Sequence, residues 1–368
     1  MSQRYLTCVC SLNDRDCIES RLDGLSTMED EVICRCFSDK SLVVERINGE
    51  QVCRKELVHK VIDCSFCYIG GLVFLIVLCS NNELVVYGKA CGFKEIVRWT
   101  IFSNSPPTCM VMDKTNGTEG DFALISVGFY DGTAQVGVLH YDPLQDQLVF
   151  RFESVANQGF KSKSVAFQAF VKESSQLGQT NETSIRLLFI QRSDGKVEVL
   201  KILPLLCEND TSSVALLFDT FASFSTLENP SCFATTRLTS PSNICCVIVG
   251  SEGSLSVFYS FDNFNSVRKL DIVTPSSSIL SCITAVKRRV DSNDTLSLFL
   301  GDQIGNMLRI KLTHEMFVLG GVMMPPIEFK QSSFLSALPF MIINCLLLHS
   351  NQQVKLCFFD KTGNRKEF

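Results

Sequence analysis

Seven times along the chain an almost continuous apolar run meets a short polar turn and then an alternating apolar strand, and this repeat limits the fold more than any other feature. The copies are Val32–Val44, Val73–Tyr87, Leu124–Val138, Leu187–Leu200, Cys245–Phe258, Leu296–Ile310 and Ile342–Leu356. The run before each turn has the composition of a strand buried on both faces. The strand after it alternates, most clearly at Lys196, Val197, Glu198 and Val199, so one of its faces is less buried. Gly132, Gly195, Gly253 and Gly305 supply the positive φ that a tight hairpin needs, while Asp39-Lys40, Asn81-Asn82 and Asn351-Gln352 stand at the remaining turns.

The stretch from Lys60 to Ile101 shows one whole unit as four short runs, Val61–Phe66, Leu72–Cys79, Leu84–Gly88 and Glu95–Ile101, with turn residues between them. A four-stranded sheet of this size cannot bury both faces alone, so the units must cover one another. Their turns recur roughly 42 to 63 residues apart, a spacing suited to the blades of a β-propeller and too long for solenoid repeats. The expected fold is therefore all-β: a seven-bladed β-propeller of four-stranded antiparallel blades in one domain over residues 1–368. The units lie near 12–58, 60–101, 107–152, 164–220, 232–272, 279–320 and 334–359, the last joined by 5–11. In this reading Tyr5–Ser11 pairs with the last unit and closes the ring, leaving no open edge. Cys17–Leu22 then serves as the first strand of the first unit, Phe334–Leu338 as an inner strand and Glu315–Leu319 as an outer one. Polar insertions are expected at Asn13–Glu31, Lys172–Ser184 and Leu205–Ser213, and long loops on a rigid ring are where recognition concentrates.

This pattern, taken over nearly the whole chain, resembles the WD40-like seven-bladed β-propellers. The resemblance lies in the period and the hairpin signature: Trp99 is the single Trp, there is no Trp-Asp or Gly-His pair, and that family's His, Asp and Trp network has no counterpart here. The stretch Leu300–Leu312 also looks like the blades of large propeller proteins of the cleavage-factor and damaged-DNA-binding type.

Hydrophobic residues make up 46% and charged residues 20%, which supplies a large core and excludes a disordered chain. A net charge of -5 argues against a surface built to neutralise many phosphates. The first residues, Met1–Tyr5, are not followed by the apolar run of a secretory signal, so cytoplasm or nucleus is expected. The 18 cysteines then read as reduced, small hydrophobes, and the sequons at Asn116, Asn181, Asn209 and Asn293 as loop markers. Phe334–Leu348 is apolar but is shorter than a spanning helix and carries Pro339 and Asn344.

No residue pattern specifies catalysis. Cys64-Ser-Phe-Cys67 is a lone C-x-x-C, and the pairs Cys8/Cys10 and Cys34/Cys36 lie in strands, where alternate residues share a face. No second knuckle follows Cys64 at metal-binding spacing, so core thiols are expected and no metal or cofactor. His59, His140, His314 and His349 are scattered and have no nucleophile motif beside them. Lys287-Arg288-Arg289 is the one triple basic run and reads as a solvated strand end. Asp131, Asp194, Glu252 and Asp302 all fall at hairpin turns, where Asp is a good turn former. They are also the candidate partner-binding residues, an acidic rim suited to a basic peptide. The expected function is a non-catalytic interaction scaffold, one subunit of a multiprotein complex, with protein or peptide partners and no small-molecule substrate or membrane. The alternatives are an enzyme with its site in a central channel and a propeller associated with nucleic acid, which the acidic charge disfavours as a direct ligand.

Overall fold

Strands form where the chain runs or alternates apolar, and they stop where Gly, Asn and Asp let the backbone turn. In this computed structural model the described residues are 5–12, 32–113, 122–142, 147–154, 163–172, 186–207, 210–262, 264–274, 278–290, 293–319, 321–323, 327–330, 342–350 and 353–367. Their strands make seven sheets. The first contains Leu6–Ser11, Val32–Phe37, Ser41–Arg46 and Gln51–Glu56, and the second Val61–Ile69, Leu72–Cys79, Glu83–Gly88 and Lys94–Thr100. The third runs from Pro107–Met112 to Gln147–Ser154, the fourth from Val165–Lys172 to Asp210–Ser225, and the fifth from Cys232–Leu238 to Arg268–Val273. The sixth runs from Leu280–Val290 to Ile327–Lys330, and the seventh holds Ile342–Ser350, Gln353–Asp360 and Arg365–Glu367.

The first strand of every sheet touches the first strands of its two neighbours in cyclic order, and Ile342–Ser350 returns to Leu6–Ser11. The seven sheets thus stand round one axis, as the repeat requires. Second strands are the most enclosed: Phe122–Phe129, Arg186–Arg192 and Ile244–Gly250 are buried at every position. Outermost strands such as Lys94–Thr100 are largely exposed. The core is correspondingly divided into slabs between adjacent sheets. One slab packs Leu75, Val77 and Tyr87 of the second sheet on Cys34, Leu42 and Val44 of the first, and another packs Phe189 and Val199 of the fourth on Val247 and Phe258 of the fifth. No sheet has a core of its own, so each depends on its neighbours for apolar burial.

The hairpin turns have the expected backbone, with φ of +83° at Gly132, +82° at Gly195, +65° at Lys40 and +64° at Asn82. Four expectations need correction. Leu6–Ser11 does not pair with the last unit; it pairs antiparallel with Val32–Phe37, with Cys8 opposite Cys36 and Cys10 opposite Cys34, and is the inner strand of the first sheet. The last unit is shifted by one strand, because the turn matching the others is Asp360–Asn364, whose D-x-x-G-N sequence and carboxylate bonds repeat those of Asp302–Asn306. Its third strand, Arg365–Glu367, is polar and short, which is why the pattern of apolar runs passed over it. Glu315–Leu319 is helical within His314–Leu319, since Phe317 is fully buried beneath it, 5.1 Å from the Tyr259 ring, and accepts a hydrogen bond from Tyr259 Oη on its carbonyl. The chain then adds Gly321–Met323 in parallel to the edge of the fifth sheet and only afterwards supplies the outer strand of the sixth, Ile327–Lys330. Within Leu205–Ser213 the described residues 205–207 and 210–213 belong to the strands Lys196–Cys207 and Asp210–Ser225, with Cys207 opposite Asp210. The expectations for Asn13–Glu31, Cys17–Leu22 and Phe334–Leu338, and for 173–184, lie outside the described residues.

Closure uses side chains and packing in place of a shared strand. Leu6 N–H donates to Lys361 O (2.8 Å), Arg35 Nη1 to Gly363 O (2.8 Å) and Arg365 Nη1 to Ile47 O (2.7 Å), while Leu6, Val9, Ile33 and Phe37 pack on Cys357 and Phe359.

Asp294 ties the fifth sheet to the sixth. Its Oδ2 accepts the N–H groups of Thr239 (2.6 Å) and Ser240 (3.0 Å) and the Thr239 hydroxyl (3.0 Å). Burial works to raise its pKa, but these donors together with Lys287 outweigh it and hold the carboxyl below the usual range. A lowered folded pKa means stability that is present above the ordinary carboxylate pKa, about 4, and is lost as the pH falls through the lowered value. Asp294→Ala should therefore cost about 1–3 kcal/mol at neutral pH and give a shallower loss of stability toward pH 3, as read by urea denaturation at both pH values.

Candidate functional site

Antiparallel order puts two sets of connections at the same end of the ring: the turn between the second and third strands of each sheet, and the link from each fourth strand to the next sheet. The two sets are bonded together. Ile101 N–H donates to Asn82 O (2.7 Å) and Asn82 Nδ2 to Ser103 O (3.0 Å), Asp131 N–H donates to Ser105 Oγ (3.0 Å), and Asn229 N–H donates to Ser193 O (3.1 Å). This end is consequently a fixed surface even though it is built from loops.

All four acidic candidates lie at this end, on four consecutive sheets, and their side chains do different things. Asp131 is exposed, and its Oδ1 accepts from Thr133 N–H (3.0 Å) and Oγ1 (2.7 Å). Asp194 is half-buried and accepts from Lys196 N–H (3.2 Å). Glu252 is exposed. Asp302 does not project: it is 0% exposed and takes the N–H groups of Ile304 (3.0 Å) and Asn306 (2.8 Å) and Asn306 Nδ2 (2.8 Å), so its carboxylate is spent inside its own turn.

Bulky apolar residues share this end and were missed from the sequence. Phe102 is 91% exposed, Val58 69%, Tyr130 67% and Ile304 55%. Phe102 and Tyr130 belong to one junction: Gln135 Nε2 donates to Phe102 O (2.9 Å), and Tyr130 N–H donates to Pro106 O (3.0 Å). The available signal was an aromatic side chain in a polar turn, Tyr130-Asp131-Gly132, where nothing in turn chemistry calls for one. The result is an apolar patch with a carboxylate beside it.

Beside Val58 a cleft of 260 Å³ opens between the first two sheets, lined by Lys55, His59, Cys79, Glu83, Tyr87 and Arg98 among others. Arg98 donates to Glu83 (2.9 Å) and to both carboxylate oxygens of Glu95 (3.1 and 3.0 Å). Its pKa is raised, chiefly by Glu95, and that of Glu83 is lowered, chiefly by Asn81, so all three groups are held in their charged forms. Burial pushes the Cys79 thiol up to about 11, so it is not an activated nucleophile. Nearer the axis, Asp63 bridges the second and third sheets, its two oxygens accepting Cys64 N–H (2.9 Å) and Met110 N–H (3.1 Å). Burial, with Cys8 adding to it, raises this carboxyl to about 7.

The sequence expectation for the cysteines holds for Cys67, a buried thiol in an apolar slab. Cys10, Cys34, Cys36 and Cys64 are likewise buried free thiols, with Cys8 partly exposed, but these five are gathered in one cluster. Cross-strand register brings the two C-x-C pairs together, and the second sheet's inner strand sets Cys64 against them. Sγ of Cys64 lies 3.3 Å from that of Cys10 and 3.6 Å from that of Cys8, and Cys34 and Cys36 are 3.9 Å apart. The sets Cys8/Cys36/Cys64 and Cys10/Cys34/Cys64 each have their sulfurs within 4.8 Å of one another. Burial pushes Cys34 up to about 12 and raises Cys10 as well, whereas hydrogen bonds from Cys36 and Cys64 hold the Cys8 thiol well below the usual thiol range. Spacing along one loop does not report this cluster, because its sulfurs are brought together across paired strands.

No family model matches the sequence, and no curated protein matches it. Solved structures do. BBS1N in complex with ARL6DN, from crystals soaked with lead, superposes with a TM-score of 0.58 at 12% identity over 99% of this chain and 91% of that one. Sqt1 of Saccharomyces cerevisiae gives 0.57 at 11% identity over 100% and 96%. Both are β-propellers, and this chain has the propeller fold. At such identities the likeness carries the fold alone.

Proposed function

We propose that the protein is a non-catalytic interaction scaffold, a divergent WD40-like subunit of a larger assembly, that receives a protein partner on the end of the ring carrying Phe102, Tyr130 and Asp131. One observation carries this reading: large apolar side chains stand exposed beside carboxylates on a surface held rigid by hydrogen bonds, where their exposure has no structural use. An aromatic anchor set among polar neighbours is the usual centre of a protein interface. Asp131, Glu252 and Asp194 supply a negative field toward a basic segment of the partner, and Asp302 acts on it only by shaping its turn. In the cleft Arg98 is held between Glu83 and Glu95 and burial keeps the Cys79 thiol protonated, which favours this reading over an enzyme. That BBS1N was crystallised with ARL6DN lends a parallel, since there a propeller of similar fold holds a second protein. A cytoplasmic or nuclear site fits the reduced cysteines, and among the described residues no helix is long and apolar enough to cross a membrane.

The test is a photo-crosslinking amino acid placed at Tyr130 and, as control, at Leu72 on the opposite end. We expect a discrete adduct from Tyr130, lost when Phe102→Ser and Asp131→Lys are introduced, with thermal stability unchanged. Equal labelling from both ends, or an adduct that resists those substitutions, would contradict the proposal. A salt-dependent shift of labelled RNA or DNA by the purified protein would favour the nucleic-acid reading.

A further inference from the structure

The slab between the first and second sheets gathers five of its cysteine sulfurs into one cluster, where a propeller needs only apolar fill. Cys34, Cys36 and Cys64 are mutually close, because each of the two triads contains Cys64 and the remaining pair, Cys34 and Cys36, is 3.9 Å apart. Cys10 lies 3.3 Å and Cys8 3.6 Å from Cys64 on either side of that trio. In a tetrahedral tetrathiolate with Zn–S bonds of about 2.3 Å, neighbouring sulfurs stand roughly 3.8 Å apart. The sulfur separations in the cluster already bracket that edge.

We propose that Cys34, Cys36 and Cys64, completed by Cys10 or Cys8, bind a zinc ion that ties the inner strand of the second sheet to the paired strands of the first. Four sulfurs from three strands give a closed site with no open position, which is the structural and not the catalytic arrangement. The elements that aim the ligands are rigid: four of the five cysteines sit directly opposite one another in the antiparallel register, Cys8 to Cys36 and Cys10 to Cys34. Cys34 and Cys36 are fully buried and Cys64 is nearly so, while Cys8 is partly exposed on the inner strand and gives the ion its way in. Ordinary core packing explains a buried cysteine here and there, as at Cys67, Cys232 and Cys246. It does not explain five within sulfur-to-sulfur contact, and among the described residues no other such group occurs. The bond placed here braces the first sheet, whose other neighbour is the seventh, across the junction where the ring closes.

The full-length protein purified under reducing conditions is to be assayed for zinc by elemental analysis and, after exchange, for its cobalt spectrum. We expect one zinc per chain and, with cobalt, intense visible bands of a tetrahedral site together with thiolate charge transfer. Cys64→Ser, which removes the sulfur common to both triads, should lower zinc affinity at least tenfold, whereas Cys91→Ser, an exposed cysteine outside the cluster, should leave it unchanged. A metal-free wild type that also stays colourless with cobalt overturns the proposal, as does a Cys64→Ser protein that keeps its zinc. If Cys64→Ser does not fold, the wild-type stoichiometry and cobalt spectrum decide alone.

Discussion

Replacing Arg192 with Met should lower the stability of the protein by about 3–5 kcal/mol, because it leaves the Glu198 carboxylate buried without its cation. Arg192 Nη2 stands 2.9 Å from Glu198 Oε2, with the two side chains only 3% and 6% exposed. The same guanidinium reaches the turn of the preceding sheet, donating to Gly132 O at 3.4 Å. It therefore joins two sheets as well as neutralising a charge. Removing both members of such a pair is far cheaper than removing one, since no uncompensated charge remains. The double variant Arg192→Met with Glu198→Leu should accordingly recover most of the loss, leaving mainly the missing contact to Gly132. Urea denaturation of the wild type, the two single variants and the double variant reads this directly. Additive losses would show that the two side chains are not coupled.

The second large effect concerns closure. Phe359 is fully buried in the small cluster between the seventh and first sheets. Phe359→Ala should cost about 3–5 kcal/mol through lost burial and the cavity left behind. Gly363 is a second probe of the same junction. Its φ is +89°, and a Cβ there would come within 3.0 Å of the Phe37 ring, so Gly363→Val strains the backbone and crowds the first sheet together. If the ring is one cooperative unit, both substitutions should lower the midpoint of the whole transition and not release the last sheet alone.

Much of this fold was legible because the repeat is written twice, once as apolar runs and once as turn chemistry. Phe122–Phe129 and Ile244–Gly250 read as buried strands and are buried throughout. The sequence misled where one of those signals stood alone. At the last sheet the apolar run led to Asn351-Gln352, while the turn chemistry pointed to Asp360-Lys361-Thr362-Gly363-Asn364, and the structure sides with the turn. Glu315–Leu319, read as an outer strand, lies in the helix His314–Leu319, where Phe317 packs on Tyr259 of the fifth sheet, a contact no local pattern contains. The cysteine cluster was hidden for the same reason. Its C-x-C cysteines are two apart within strands, but what unites them is the register of one strand on another and the seat of Cys64 on the neighbouring sheet. At the candidate interface the turn carboxylates were visible, whereas the exposure of Phe102 and Tyr130 follows from three-dimensional placement.

Everything proposed for the surface and for the cysteines rests on seven sheets that close on each other without sharing a strand. Native-state hydrogen exchange of the inner strand Leu6–Ser11 tests this most directly. Closure predicts that its hydrogen-bonded amides, the Leu6 N–H bonded to Lys361 included, exchange only through global unfolding, with the same free energy as the buried strand Ile244–Gly250. Exchange of Leu6–Ser11 through a separate opening several kcal/mol easier than global unfolding would mean that the ring is open at that junction, and would contradict the account.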